Sequence, residues 1–92
     1  MEDPLESHLE ETLNNPGVVG VLCTDKQGLC LTAKGTASPD SAGLVSAIAQ
    51  QASQLLPDNN SAPVICIESD KGNVMIKTHE DITMAIHKMP TY

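Results

Sequence analysis

The 92-residue sequence predicts an α+β domain: one five-stranded, mainly antiparallel sheet between an N-terminal helix and a central helix, in the order α-β-β-α-β-β-β. Three observations predict it. Two segments carry apolar residues at helical spacing, five short runs are rich in aliphatic residues, and Gly, Asn and Asp mark turns between them. The length suits a single domain over residues 1–92, and an AVILMFWYC content of 40% can supply its core. That core is aliphatic, since the chain has no Trp, no Phe and one Tyr, at its last position.

The first helix opens at Asp3-Pro4-Leu5-Glu6, with Asp as N-cap, Pro at the first helical position and Glu placed for a capping box. Leu5, Leu9 and Leu13 then recur every four residues, Glu6, Glu10 and Glu11 face elsewhere, and Asn14-Asn15-Pro16-Gly17 stops the helix. Val18 to Cys23 is apolar at successive positions, so it reads as an interior strand covered on both faces, and its expected place is the centre of the sheet. Asp25-Lys26-Gln27-Gly28 signals a tight turn. Beyond it Leu29, Leu31 and Ala33 alternate with Cys30, Thr32 and Lys34, which completes a hairpin.

Ser38-Pro39-Asp40 opens the second helix, with Ser as cap, and Pro57 ends it after Leu56. Ala42, Leu44, Val45, Ile48, Ala49, Ala52, Leu55 and Leu56 span an arc of roughly 160° on the wheel, against the ~100° that one core face needs. This helix has more apolar surface than one sheet can cover. No charged side chain occurs from Ser41 to Pro57, although the chain carries 17 charges. Depletion of charge at the centre of a patch marks protein interfaces.

A short polar loop, Pro57 to Pro63, leads into a third strand at Val64-Ile65-Cys66-Ile67, apolar on both faces. A turn at Ser69 to Asn73 leads to a fourth strand, Val74 to His79, and Glu80-Asp81 leads to a fifth, Ile82 to His87. A two-residue Glu80-Asp81 turn puts Val74 and Ile76 on the face opposite Met84 and Ile86, whereas a three-residue loop with a bulge aligns them. The sheet has two open edges, and no charge or Pro protects the third strand.

Charge and motif exclude several functions. Five Lys, no Arg and twelve acids give −7, and a chain without aromatic platforms lacks what nucleic acids require. No run approaches the roughly 18 apolar residues of a membrane span, the start Met1-Glu2-Asp3-Pro4 is unlike a secretory signal, and position 2 is not the Gly of a myristoylation site. Any membrane location therefore comes through a partner. Cys23, Cys30 and Cys66 show no C-x-x-C spacing and read as small buried hydrophobes in a reducing compartment. His8 reads as a surface residue; His79 and His87 flank the last hairpin without a third ligand at metal spacing. The glycines form no phosphate cradle, and the acids read as a helix face and turn caps. No cofactor, metal or catalytic residue is expected.

The runs Glu6-Ser7-His8-Leu9-Glu10-Glu11-Thr12, Val19-Gly20-Val21-Leu22-Cys23-Thr24-Asp25, Gln27-Gly28-Leu29, Glu68-Ser69-Asp70, Gly72-Asn73 and His87-Lys88-Met89 resemble a family of roadblock/longin-like proteins. These are the hepatitis B virus X-interacting proteins, fifth subunits of the Ragulator (late endosomal and lysosomal adaptor) complex. The resemblance covers nearly the whole chain. It implies a roadblock/longin-type fold without the C-terminal helix of many roadblock proteins. It also implies a non-enzymatic scaffold, cytoplasmic and recruited to the lysosomal surface through the complex. There the scaffold pairs with a second roadblock-type subunit, joins the remaining Ragulator subunits and supports Rag GTPases in amino-acid-dependent signalling to the TOR kinase. Viral X protein binding and a survivin-linked anti-apoptotic role belong to the same picture, as does a homodimer when the chain is isolated. In roadblock dimers the long helices lie side by side and the third strands pair. On this chain that interface is Leu44, Ala47, Ile48, Gln51 and Leu55 with Val64, Ile65, Cys66 and Ile67. Two alternatives remain at this stage: a dynein light-chain-like roadblock subunit, and a small thiol or ligand-binding enzyme using Cys23, Cys30 or Cys66.

Overall fold

The computed structural model describes residues 4–55, 64–79 and 81–90, and the side chains among these from residue 9 onward. Helix α1 runs Pro4–Leu13, with Pro4 at its first position as its sequence predicts. The Asp3 cap, the side chains of Leu5, Glu6 and His8, the Pro57 to Pro63 loop, Glu80 and Tyr92 lie outside the described residues. Strands β1 (Val18–Thr24) and β2 (Cys30–Gly35) follow, then a 3-10 turn at Pro39–Ser41 and helix α2 (Ala42–Ser53). Strands β3 (Ile65–Ser69), β4 (Gly72–His79) and β5 (Ile82–Lys88) complete the expected element order.

All pairings are antiparallel, and the strands lie in the order β2-β1-β5-β4-β3. β1 is interior, as its two-sided apolar pattern requires, but the central strand is β5. This corrects the expected placing of β1. β5 enters between β1 and β4, and four of its residues, Thr83 to Ile86, are buried. The last hairpin has the two-residue turn: His79 pairs with Ile82, and Ile76 pairs with Ala85.

Alternation along the strands divides the core into two layers. On one face Leu9 of α1 packs with Val21, Cys23, Met84 and Ile86. On the other, Val45 and Ala49 of α2 pack with Leu22, Ile76 and Ala85. Fully burying a Leu, Ile or Val side chain contributes about 1.5–3 kcal/mol, so this packing is what holds both helices on the sheet.

Two glycines let the chain pass from β2 to α2. Gly20 and Gly35 pair across β1 and β2, and Gly35 has φ +68, a conformation that side chains rarely adopt. The chain then crosses the α2 face over Gly20, where an added Cβ meets Ala37 N and Thr36 Oγ1, each at 2.7 Å. Thr36 N donates to Val19 O at 2.9 Å and fixes the crossing.

Two local expectations are corrected. The strict alternation of Leu29, Leu31 and Ala33 fails because the register shifts between Cys23 and Thr24: Thr24 pairs with Cys30 and Cys23 with Thr32, leaving Leu31 as the extra residue of a bulge. Cys30 and Ala33 consequently share the α2 face, while Leu29 and Leu31 are exposed. The second helix ends at Ser53 rather than Leu56. Its last turn tightens, with Gln54 N donating to Gln51 O and Leu55 N to Ala52 O at 3.1 Å each, while Ser53 Oγ donates to Gln50 O at 2.7 Å.

Candidate protein interface

The orientation of α2 is set by a polar tether. Asp25 Oδ1 accepts from Gln27 N and Leu29 N, each at 2.9 Å, and this holds the β1–β2 turn in shape. The turn presents the Asp25 and Lys26 carbonyls to the buried Ser46 hydroxyl at 3.2 and 3.1 Å, and Gln50 Nε2 donates to Lys26 O at 2.6 Å and to Ser46 Oγ at 3.0 Å. Ser46 and Gln50, one turn apart, lock the rotation of the helix about its axis. Neither residue is singled out by the helical pattern in the sequence. The available signal was a single Ser flanked by Val45 and Ala49 on the core stripe.

With that rotation fixed, Ala42, Val45, Ser46 and Ala49 point into the core. Leu44, Ala47, Gln51 and Leu55 point outward, and Ile48 lies half-buried between the two sets. Leu44 is 66% exposed and Leu55 82%. The excess apolar arc expected from the wheel is therefore real surface. Ile48 packs on the same core cluster as Ile65 of β3, so the helix stripe and the sheet edge lie over one core layer.

Among the described residues β3 pairs with β4 alone, which leaves the backbone N–H and C=O groups of its outer side without a strand partner there. Ile65 pairs with Ile76 and Ile67 with Val74, so both lie on the α2 face, with Ile67 44% exposed. Cys66, opposite Met75, is exposed on the α1 face, and Val64, just before the strand, is 60% exposed. No charged residue occurs among 41–55 or 64–67; Asp40, Asp58 and Glu68 flank these two segments. An uncharged helix stripe continuous with an open strand edge is suited to sheet extension with helix packing.

The remaining chemistry is sparse. Cys23 is buried, and burial together with the nearby Cys30 pushes its thiol up to about 11, away from the thiolate that nucleophilic attack needs. Cys30 is half-buried; Cys66 is exposed, against the expectation that all three are buried, because β3 is an edge strand paired only with β4 and Cys66 lies on its α1 face, away from the core that Ile65 packs on. His79 is exposed and His87 half-buried. Among the described residues no three of His, Cys, Asp or Glu converge as metal ligands, and no helix is long and apolar enough to cross a membrane. A second apolar patch, missed by the alternation, lies at the β2 edge with Leu29 64% and Leu31 43% exposed.

A family model described as Ragulator complex protein LAMTOR5 matches residues 1–88. The chain is 52% identical over 91 residues to the Ragulator complex protein LAMTOR5 homolog of Nematostella vectensis, covering 99% of this chain and 100% of that protein. It is 51% identical over 89 residues to Ragulator complex protein LAMTOR5 of Xenopus laevis, covering 97% and 98% respectively. Among solved structures it is similar to the gliding protein MglB of Thermus thermophilus, with TM-score 0.74, 20% identity and coverage of 91% of this chain and 70% of that one. A Roadblock/LC7 domain from Streptomyces avermitilis superposes with TM-score 0.70 at 20% identity over 90% of this chain and 73% of that one. These structural likenesses identify the roadblock fold.

Proposed function

The chain belongs to the LAMTOR5 family of Ragulator complex proteins, and from that premise we propose that it is a non-enzymatic adaptor subunit of Ragulator that works by pairing with a second roadblock-type subunit. The observation that carries the reading is the uncharged stripe Leu44, Ala47, Ile48, Gln51 and Leu55 beside the unpaired edge of β3. Covering a leucine as exposed as Leu44 or Leu55 contributes about 1.5–3 kcal/mol. A partner strand on Ile65 to Ile67 supplies backbone hydrogen bonds that fix register, so the leucines supply affinity and the strand supplies geometry. The pair then presents a joint surface to the remaining subunits.

In this reading the complex supports Rag GTPases in amino-acid-dependent TOR kinase signalling, and the chain reaches the lysosomal surface from the cytoplasm through its partners. Binding of the viral X protein and a survivin-linked anti-apoptotic role rest on the sequence resemblance. A thiol enzyme built on Cys23 is disfavoured by its raised thiol, and a dynein light-chain-like role by the LAMTOR5 relatives. The test is co-purification of the other Ragulator subunits with a Leu44→Glu, Leu55→Glu variant expressed in cells. Both side chains are exposed, so the variant keeps its fold, checked by circular dichroism, and recovery is expected to fall to background. Recovery at the unsubstituted level overturns the interface.

A further inference from the structure

We infer that the cleft at the Gly72 end of the sheet is a docking site for an acidic segment of a partner protein. The inference uses no residue of the α2–β3 surface and stands apart from the pairing proposed there. It starts from the distribution of positive charge. Of five lysines in a chain of net charge −7, Lys26 pairs with Asp81 at 3.2 Å and Lys34 with Glu10 at 3.8 Å. Lys71, Lys77 and Lys88 have no ion pair among the described residues.

Two of these three converge. Lys71, in the β3–β4 turn, and Lys88, at the end of β5, line one cleft of about 440 Å³ together with Thr36, Asn73 and the half-buried His87. None of these five side chains has a protein hydrogen-bond partner among the described residues, so their polar groups are open to a ligand. The frame beneath is fixed. Asn73 pairs with Lys88 and Val74 with His87 across the strands. Ser69 Oγ donates to Gly72 O at 2.9 Å and accepts from Lys71 N at 3.2 Å. At Gly72, with φ +152, an added Cβ lies 2.9 Å from Lys88 O, so the turn sits directly against the end of β5.

Charge calls for an anionic occupant, and the size of the cleft favours a carboxylate-bearing segment. Unpaired lysine ammoniums attract carboxylates without demanding the planar bidentate geometry that Arg imposes, and the chain has no Arg. The volume also suits several side chains of a peptide better than a single small ion. Glu68 and Asp70 lie on the neighbouring β3 end and turn but do not line the cleft.

Amide NMR of the labelled full-length chain tests this with a glutamate-rich decapeptide, and with inorganic phosphate in a second arm. The peptide is expected to shift the amides of Thr36, Lys71 to Val74 and His87 to Met89 saturably. Affinity is expected to fall about tenfold, or about 1.4 kcal/mol, in Lys71→Glu, Lys88→Glu and to change little in Lys26→Glu. A neutral Lys71→Gln, Lys88→Gln variant, whose unchanged shifts elsewhere verify folding, should show an intermediate loss. The proposal is overturned by an absence of saturable shifts, by an equal loss in Lys26→Glu, or by phosphate occupying the same amides more tightly than the peptide.

Discussion

Gly20→Ala tests the reasoning about the β2-to-α2 crossing most sharply. The new methyl meets Thr36 Oγ1 and Ala37 N at 2.7 Å and Thr36 N at 2.9 Å. The hydroxyl can rotate aside, but the two backbone nitrogens cannot retreat without breaking the 2.9 Å bond from Thr36 N to Val19 O. Overpacking of this kind costs about 1–3 kcal/mol and a lost backbone bond about 1, so the expected destabilisation is about 2–4 kcal/mol. For a domain of this length that lowers Tm by roughly 10–25 °C. Gly43→Ala is the contrast, since nothing lies within 4 Å of its added Cβ and Ala is the better helix former, by up to about 1 kcal/mol. Urea and thermal unfolding of both variants give the comparison. A Gly20→Ala protein within 3 °C of the parent, a shift worth well under about 1 kcal/mol, refutes the close crossing.

Further expectations concern the thiols and the tether. On brief alkylation of the native chain, Cys66 should label first and Cys23 last, as read by peptide mass spectrometry; early labelling of Cys23 contradicts its burial. The folded Cys23 thiol keeps its proton to about pH 11 whereas the unfolded one releases it near 9.0. Between those values the native state binds more protons, so stability falls as pH rises, and below that window Cys23 contributes no slope. Cys23→Ala should flatten that decline in urea titrations. Asp25→Ala removes the acceptor for Gln27 N and Leu29 N and should destabilise by about 1–2 kcal/mol; equal urea midpoints show that the turn does not depend on it.

Much of this architecture was legible because it is encoded locally. Pro4, the leucine spacing of α1 and the Asp25 to Gly28 turn act over a few residues each, whereas the register of the last hairpin is open in the sequence and is set only by the β4–β5 pairing, which puts Val74 and Ile76 on the face opposite Met84 and Ile86. What escaped depends on contacts distant in sequence. β5 takes the centre of the sheet only because β1, far earlier in the chain, accepts it as a neighbour, and the bulge at Leu31 appears only when β2 is laid against β1. The exposure of Cys66 likewise follows from β3 being an edge, since the same apolar run is buried when a strand lies on both sides. For the candidate interface, absence of charge in α2 was sufficient to find the stripe, but the Ser46 tether that turns it outward joins residues about twenty apart.

The central claim is that the α2 stripe and the β3 edge are where a second subunit sits. Amide hydrogen exchange of the chain, dilute and alone, compared with the chain in purified Ragulator, tests it directly. The account predicts slowed exchange at Ile65 to Ser69 and along Leu44 to Leu55 in the complex, with the β2 edge from Cys30 to Lys34 unchanged. Protection of the β2 edge and its exposed Leu31, with β3 exchanging as fast as in the free chain, contradicts it.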